Sequence, residues 1–147
     1  MTALLVRKVQ SQADVAAFMA AGKRAQTGNS RWVEPLRDEM LKVFDKKRSP
    51  MMLENEIQPF VAFRDGQPAG RIVAVVNRAH LEKYHDACGH FGVIDAIDER
   101  GVFAVLLQKA ADFLRARGLR RMRGPFSLSI HHEAGLLVKG FDQPHVV

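Results

Sequence analysis

Hydrophobic and polar positions near the start of the chain predict one strand followed by two helices. Residues 4–9, LLVRKV, alternate weakly between apolar and polar and predict the strand. Ser11 and Asp14 form a capping-box pattern, which predicts a helix start, and Gly22, Gly28 and Asn29 are expected to end that helix. A second apolar stripe at helical spacing follows Pro35, at Leu36, Met40, Val43 and Phe44.

The clearest local pattern in the chain is the run QPFVAFRDGQPAGRIVAVVNR. Two stretches rich in β-formers, residues 60–64 and 71–76, flank the pair Asp65 and Gly66. Asp-Gly is favoured in two-residue hairpin turns because both positions tolerate a positive φ. The pattern therefore predicts two antiparallel strands joined by a tight turn.

The second half of the chain predicts a strand, a helix and another strand. After an expected loop that holds Tyr84, His85 and Cys88, the run HFGVIDAI at residues 90–97 has the length and composition of a strand. Residues 102–119 carry one apolar and one polar face and contain a stop signal at Gly118. Residues 120–130 can form the next strand, and a strand-helix-strand crossover implies that the two strands are parallel.

Composition is that of an ordinary globular domain. The chain has 147 residues, 47% hydrophobic and 26% charged, so we expect a single domain over residues 1–147. No apolar run approaches the roughly 20 residues of a membrane span. The apolar stretch at the start of the sequence is too short for a signal peptide, so we expect a cytoplasmic protein. Cys88 is the only cysteine and has no CxxC partner, which is typical of a bystander thiol.

A net charge of +6 favours an anionic partner: nucleic acid, a phosphorylated cofactor or an acidic carrier protein. Basic residues cluster at Lys46, Lys47 and Arg48, and again at Arg115, Arg117, Arg120, Arg121 and Arg123. The second cluster straddles a predicted helix end, where cations complement the helix dipole. No aromatic residues interleave with it as a base-stacking surface would require, so we do not favour nucleic acid.

The order of strand, two helices, hairpin, strand, helix and strand resembles the GNAT (Gcn5-related N-acetyltransferase) superfamily. The matching segments are FVAFRDGQPAGRIVAVVNR, FGVIDAI, VFAVLLQKAADFLRARGL and EAGLLVKGF, the last as a fourth helix. The resemblance implies an α/β (α+β) fold, with a mixed sheet and a central strand-helix-strand crossover flanked by helices. NRAH, HFGVID and RGPFSLSIHHEAGLLVKGFD are similar to the amino-terminal portion of larger bacterial GNAT-like proteins.

The resemblance also implies two strands after Phe141, and the chain stops at DQPHVV. We therefore expect either a domain truncated at its carboxyl end, as part of a larger protein, or strands supplied by a C-terminal partner domain or a second copy in a homodimer.

The GNAT resemblance implies acyl-CoA, whether acetyl-CoA or a longer thioester, as co-substrate. Its pantetheine arm would lie between the fourth and fifth strands, on the backbone of Val93, Ile94 and Ala96. Its pyrophosphate would lie on the amides of Arg100, Gly101 and Val102, where a helix begins. The loop IDERGV departs from the family pattern Q/R-x-x-G-x-G/A, and its acidic pair, Asp98 and Glu99, would repel a diphosphate.

Candidate catalytic groups are Asp95, His131 and His132. Asp95 is our candidate base because acidic residues on that strand serve this role in some relatives. The alternative is a solvent-facing carboxylate on an alternating strand. The tyrosine that many relatives carry on the fourth helix is replaced by apolar residues at Leu136, Leu137 and Val138.

The triplet His131, His132 and Glu133 suits proton transfer near neutral pH. It fails the HHxxxD acyltransferase pattern because position 136 is leucine. It also fails the zinc-helix pattern, which needs histidines four residues apart, so we predict no metal site. The remaining interpretation is a strand running into a helix, with Glu133 near the positive helix end.

These patterns predict a GNAT-like acyltransferase that moves an acyl group from acyl-CoA to a small-molecule or lipid-like amine acceptor. The alternative is a non-catalytic GNAT-like half that packs on or assists an active partner domain. A nucleic-acid-binding module is the least favoured alternative.

Overall fold

The computed structural model describes residues 3–35, 37–42, 44–45, 47, 54–126 and 135–143. The strands are β1 Leu4–Lys8, β2 Asn55–Arg64, β3 Gln67–Asn77, β4 Cys88–Ala96 and β5 Arg121–Arg123. The helices are α1 Gln12–Ala25, α2 Arg37–Lys42, α3 Arg78–Tyr84 and α4 Arg100–Arg115. None of the described helices is long and apolar enough to cross a membrane.

One five-stranded sheet, in the order β1-β2-β3-β4-β5, organises the fold. The pairs from β1 to β4 are antiparallel, and β4 pairs with β5 in parallel after the α4 crossover. The predicted mixed sheet with a strand-helix-strand crossover is confirmed.

The Asp65-Gly66 turn joins β2 and β3 as the sequence predicts. Both residues have positive φ, 52° at Asp65 and 80° at Gly66, as a type I′ hairpin requires. The antiparallel ladder extends from the pair Arg64 and Gln67 to the pair Asn55 and Asn77, so both strands are longer than the β-rich runs alone suggest. The longer β3 carries the chain to the start of α3.

The capping box at the start of α1 is also confirmed. The Asp14 amide donates to the Ser11 hydroxyl, and the Ser11 amide donates to the Asp14 carboxylate. A hydrogen bond from the Gln10 amide is the largest of the effects that hold the pKa of Asp14 below its usual value. These local bonds set where the helix begins.

Both faces of the sheet are covered, so β3 is apolar on each side. Val73 and Val75 pack against Phe18 and Met19 of α1, with Met40 of α2 nearby. The other face packs against α4, through Ile72, Ala74, Val102, Leu106, Ala110 and Leu114. This burial explains why β3 reads as a continuous hydrophobic run and makes it the centre of the domain.

Two predictions about local structure are wrong, and a third, the end of α1, is right only in part. The segment expected as a loop contains helix α3, whose start is capped by the Asn77 side chain accepting a bond from the His80 amide at 3.0 Å. Helix α1 continues through Gly22 and ends at Ala25, before Gly28 and Asn29. The described residues 135–143 contain no helix, and Gly135 and Gly140 have φ of 90° and 87°.

Some predicted features lie outside the described residues. They are the histidine pair His131 and His132, Glu133, the strand residues 127–130, Leu36 and Val43 of the second apolar stripe, and Lys46 and Arg48 of the first basic cluster.

Candidate acyl-CoA site

A β-bulge interrupts β4 at the residues predicted to hold pantetheine. Arg71 lies opposite Asp95 and Val73 opposite Gly92, so Val93 and Ile94 share a single partner on β3. Val93 has a φ of 49°, which is rare for a β-branched residue. Bulges of this kind break the ladder and redirect the strand, and they are common beside active sites. The bulge separates Asp95 and Ala96 from the regular first half of β4.

The pairing of β4 with β5 is confined to the first half of β4. The parallel ladder joins residues 88–90 to residues 121–123, and the Phe126 amide then donates to the Phe91 carbonyl at 2.9 Å. Within the part of β5 that the structure describes, nothing pairs with residues 92–96. Among the described residues, the bulged half of β4 is therefore paired on its β3 side only.

Helix α4 begins directly after this edge, and its first turn is open. The first amides of a helix lack the acceptor four residues back that later amides have, and the Glu99 side chain does not cap them. A Cβ built on Gly101 would meet nothing within 4 Å. Val102 is fully buried, and its amide donates to the Glu99 carbonyl at 3.1 Å. The amides of Arg100 and Gly101 are therefore the ones best placed to receive an anion.

Arg64 changes the electrostatics of this helix start. Its guanidinium forms an ion pair with the carboxylate of Glu99. The sequence predicts that Asp98 and Glu99 together repel a diphosphate, and this ion pair offsets one of the two charges. Sequence reasoning missed Arg64 because it is 35 residues away from its partner, and only the β2–β3 hairpin brings it to α4.

Asp95 is held in place by two donors on other elements. The Arg71 Nε and Nη2 atoms donate to Asp95 Oδ2 at 3.0 and 2.8 Å, and Gln26 Nε2 donates to Oδ1 at 3.2 Å. The Asp95 side chain is 21% exposed. The alternative of a solvent-facing carboxylate is therefore wrong, and Asp95 joins α1, β3 and β4 through hydrogen bonds.

Arg71 is the buried partner in this pair, with 4% of its surface exposed. Its guanidinium lies over the Phe18 ring at 5.2 Å from the centroid. A Cβ on Gly22 would lie 2.2 Å from Arg71 Cζ, so the glycine makes the room that the guanidinium occupies under α1. A buried cation requires such pairing because removing it from water is costly.

The second basic cluster does not present one continuous free surface. Arg115 pairs with Asp112 at 3.3 Å, and Arg117 forms an ion pair with Glu56 and lies over the Phe113 ring at 3.5 Å from the centroid. Hydrogen bonding to Arg117 is the main effect that lowers the pKa of Glu56. Arg115 and Arg117 therefore pair with carboxylates of the same chain.

The predicted site residues thus fall on two consecutive elements. The bulged half of β4 holds Val93, Ile94, Asp95 and Ala96, and the first turn of α4 holds Arg100, Gly101 and Val102. These seven residues lie between positions 93 and 102, at the junction of β4 and α4. His131 and His132 lie outside the described residues. The arrangement places the bulged half of β4 beside the uncapped start of α4.

Comparison with solved structures shows the same fold in acetyltransferases. Aminoglycoside N-acetyltransferase AAC(6')-Iy in complex with CoA matches with a TM-score of 0.59 and 16% identity, over 86% of this chain and 79% of that one. An N-acetyltransferase from Staphylococcus aureus Mu50 matches with a TM-score of 0.57 and 18% identity, over 82% and 71%. At such identities the likeness is one of fold.

Two curated relatives match almost the whole chain. Protein YghO of Escherichia coli K12 is 39% identical over 143 residues, covering 95% of this chain and 36% of that protein. Bacterial ceramide synthase of Caulobacter vibrioides is 39% identical over 145 residues, covering 98% and 38%. The chain spans little more than a third of the length of either relative. The model of the Acetyltransferase (GNAT) family matches residues 25–124, well over half of the chain, and the chain belongs to that family.

Proposed function

We propose that the protein transfers an acyl group from acyl-CoA to the amine of a lipid-like or small-molecule acceptor. The observation that carries this proposal is the bulge at Val93 and Ile94, which leads directly to the open first turn of α4. In a chain of the GNAT family, these two features supply a strand edge for a thioester arm and a helix end for its diphosphate.

The amides of Arg100 and Gly101 would receive the diphosphate at the positive end of the α4 dipole. Pairing of Glu99 with Arg64 supports this placement because it offsets a carboxylate charge beside the anion. The pantetheine arm would then run along the free edge of β4, past Val93 and Ile94. A backbone amide at the bulge would polarise the thioester carbonyl, as hydrogen-bond donors do for a developing oxyanion.

The reaction would be direct attack of the amine on the thioester carbonyl. A C–N bond forms, the C–S bond breaks, and CoA leaves as a thiolate that takes up a proton. The attacking amine must lose protons, so a base is required. Asp95, His131 and His132 are our candidates. Asp95 accepts three hydrogen bonds from Arg71 and Gln26, which favours a positioning role for it over proton transfer.

The proposed acceptor is a long-chain amine. The relative named bacterial ceramide synthase is 39% identical across 98% of this chain. A ceramide is the amide of a fatty acid with a long-chain amino alcohol, so the corresponding donor is a long-chain acyl thioester. Acetyl-CoA and a small amine are the short-chain alternatives. We expect the reaction in the cytoplasm, with a C-terminal partner domain or a second copy completing the site.

Product formation tests the proposed reaction. The full-length natural protein should be incubated with acyl-CoAs of increasing chain length, with either a long-chain amino alcohol or a short amine. We expect release of CoA thiol and an amide product of the corresponding mass, greatest for the long-chain pair. Absence of an amide with every donor would overturn the acyltransferase proposal. A product with short amines only would overturn the lipid-like acceptor.

A charge placed at Gly101 tests the cofactor site separately from turnover. Gly101→Glu has open space around the new Cβ and places a carboxylate at a helix start, where it favours folding. It should nevertheless repel the diphosphate and abolish the thermal stabilisation by CoA. That stabilisation is about 2.7 kcal/mol for the wild type at 100 times the Kd. Gln108→Glu, an equal charge change on the exposed face of α4, is the control: it loses the hydrogen bond to Asp112, so its shift is measured against its own Tm without CoA, and it should bind CoA normally.

The second candidate function is a non-catalytic half that assists an active partner. It is favoured by the engagement of Asp95 with Arg71 and by the exposed apolar residues Leu136, Leu137 and Val138 where many relatives carry a tyrosine. Under this function, Asp95→Asn, His131→Ala and Gly101→Glu would each leave the activity of the complete protein unchanged. Loss of turnover in any one of them, with folding intact, would contradict it.

A further inference from the structure

The amino end of β4 holds a cluster of potential metal ligands that the proposed acyl transfer does not use. One ligand atom from each of His80, Cys88 and His90 lies within 4.8 Å of the others. His80 is on α3, while Cys88 and His90 are on β4, at the opposite end of the strand from the bulge. An imidazole pair with a thiol suits borderline transition-metal ions.

The local fold explains how residues ten positions apart meet. Asn77 ends β3 and caps α3, which places His80 in the first turn of that helix. The chain reverses after α3, where His85 and Ala87 have φ of 49° and 51°, and returns as β4. Cys88 and His90 are two residues apart on a strand, so their side chains lie on the same face of the sheet.

Asp86 supplies the outer contact that metal-binding histidines commonly have. Its carboxylate oxygens lie 2.9 and 3.1 Å from His80 Nε2, and one of them accepts a bond from the Cys88 amide at 3.1 Å. A carboxylate on one ring nitrogen fixes the tautomer and leaves the other nitrogen, Nδ1, as the ligand atom. The same carboxylate therefore holds the ring of His80 and the backbone of Cys88, while the Cys88 thiol donates to the Gly89 carbonyl at 3.3 Å.

Cys88 is buried, and His80 and His90 are partly buried. Burial, followed by the charges of His80 and Arg123, lowers the pKa of His90, against a smaller opposite effect of Asp86. Burial, followed by Asp86, raises the pKa of the Cys88 thiol, while Arg123 and Arg121 oppose that rise. A metal ion would displace the thiol proton, because a coordinating thiol binds as thiolate.

We propose that His80, Cys88 and His90 bind one divalent transition-metal ion, Zn²⁺ being the best match. In a tetrahedral site with Zn–N near 2.0–2.1 Å and Zn–S near 2.3 Å, neighbouring ligand atoms lie about 3.5 Å apart. Side-chain movements of about 1 Å would close the cluster to that geometry. Three protein ligands leave a fourth position for water or another small ligand. Binding releases the thiol proton to solvent and changes no oxidation state.

Cobalt titration of the tag-free full chain tests the site directly. Co²⁺ replaces Zn²⁺ in such sites and reports its own ligands by absorption. We expect saturation at one ion per chain, visible bands of a four-coordinate ion, and a sulfur-to-metal charge-transfer band that added Zn²⁺ removes. Saturation without the sulfur band, or no saturable binding, would overturn the proposal.

Variants assign the ligands. Cys88→Ser should lose the charge-transfer band, and His90→Phe, which keeps a ring against Phe126, should abolish one-to-one binding. Asp86→Asn should weaken binding by about 10- to 100-fold, as loss of a hydrogen-bond partner of a ligand does. His85→Asn is the control, because this exposed histidine is outside the cluster and asparagine tolerates its positive φ.

Thermal unfolding gives a second readout that does not depend on absorption. Zn²⁺ should raise the Tm of the wild type and of His85→Asn, and it should not raise that of His90→Phe. An equal rise in all three proteins would show binding elsewhere on the chain and would overturn the assignment.

Discussion

The two ends of β4 bury polar side chains in different ways. At the carboxyl end, Asp95 meets the buried guanidinium of Arg71 and the Gln26 amide, so a full charge is matched by an opposite charge. At the amino end, Cys88 and His90 are kept neutral by burial. The stability of the carboxyl end should therefore depend on both partners of the ion pair. The stability of the amino end should depend on pH and on metal ions.

The bulge at Val93 and Ile94 separates these two ends. Before the bulge, β4 is paired on both sides, with β3 and with β5. After the bulge, its described pairing is with β3 alone, and the strand leads into α4. One strand thus combines a regular half, which packs neutral side chains, with an irregular half, which holds an ion pair.

The largest expected effect follows from breaking the ion pair. Asp95→Ala should destabilise the fold by about 3–5 kcal/mol, because it leaves the Arg71 cation buried without its carboxylate. Urea unfolding measures this free energy. The result also bears on catalysis, since loss of activity in an Asp95 variant is interpretable only if the variant is folded under assay conditions.

The double variant Arg71→Met with Asp95→Leu is the control for that prediction. It replaces both charges with apolar groups of similar size and should recover much of the stability lost in Asp95→Ala. If the single change costs less than about 1 kcal/mol, the pair is not the main stabilising feature of this end of the strand.

A smaller effect is expected from Gly22→Ala. The new Cβ would overlap the Arg71 guanidinium, which Asp95 holds in place, so we expect a loss of about 1–3 kcal/mol despite the better helix propensity of alanine. Gly101→Ala is the matched control, a helical glycine with open space, and should be neutral or slightly stabilising. Chemical unfolding of the two variants, side by side, measures the change in the free energy of unfolding of each. Equal stability would show that Arg71 moves aside freely.

The smallest expected effect is a pH dependence of folding stability that arises at the amino end of β4. The pKa of His90 is lowered in the folded protein, so the unfolded chain takes up its proton first as the pH falls below about 6.5. Folding stability should therefore fall below that pH, by no more than about 1.4 kcal/mol per pH unit for this one group. Unfolding should be measured with a chelator present, from pH 7.5 to 5.

His90→Phe is the comparison for the pH prediction. It should lack this part of the pH dependence, while His85→Asn should retain it. A wild-type slope that is unchanged in His90→Phe would show that other groups cause the loss of stability at acid pH.

Local chemistry explains which elements could be predicted. The Asp65-Gly66 turn and the Ser11 capping box depend on residues at most a few positions apart, and both are confirmed. Asn77 was an equally local signal for α3, since an asparagine directly before a helical segment is a common cap. The prediction of a loop between β3 and β4 disregards this cap.

Residues 135–143 show the limit of a pattern taken from resemblance. A helix was expected there, but the glycines at 135 and 140 have positive φ and leave Leu136, Val138 and Phe141 exposed. Apolar composition predicts burial only if other elements are present to cover it. Nothing within the segment itself supplies that cover.

The sequence by itself determined the order of the five strands, the hairpin turn, the α1 cap and the parallel crossover, because these depend on neighbouring residues and on the handedness of the chain. It also located the β4–α4 junction. Only the tertiary structure decided that Gly22 makes room for Arg71, that Arg71 binds Asp95, and that His80 meets Cys88 and His90. These contacts join residues on different elements, and no local periodicity encodes which distant side chain a buried charge or thiol will meet.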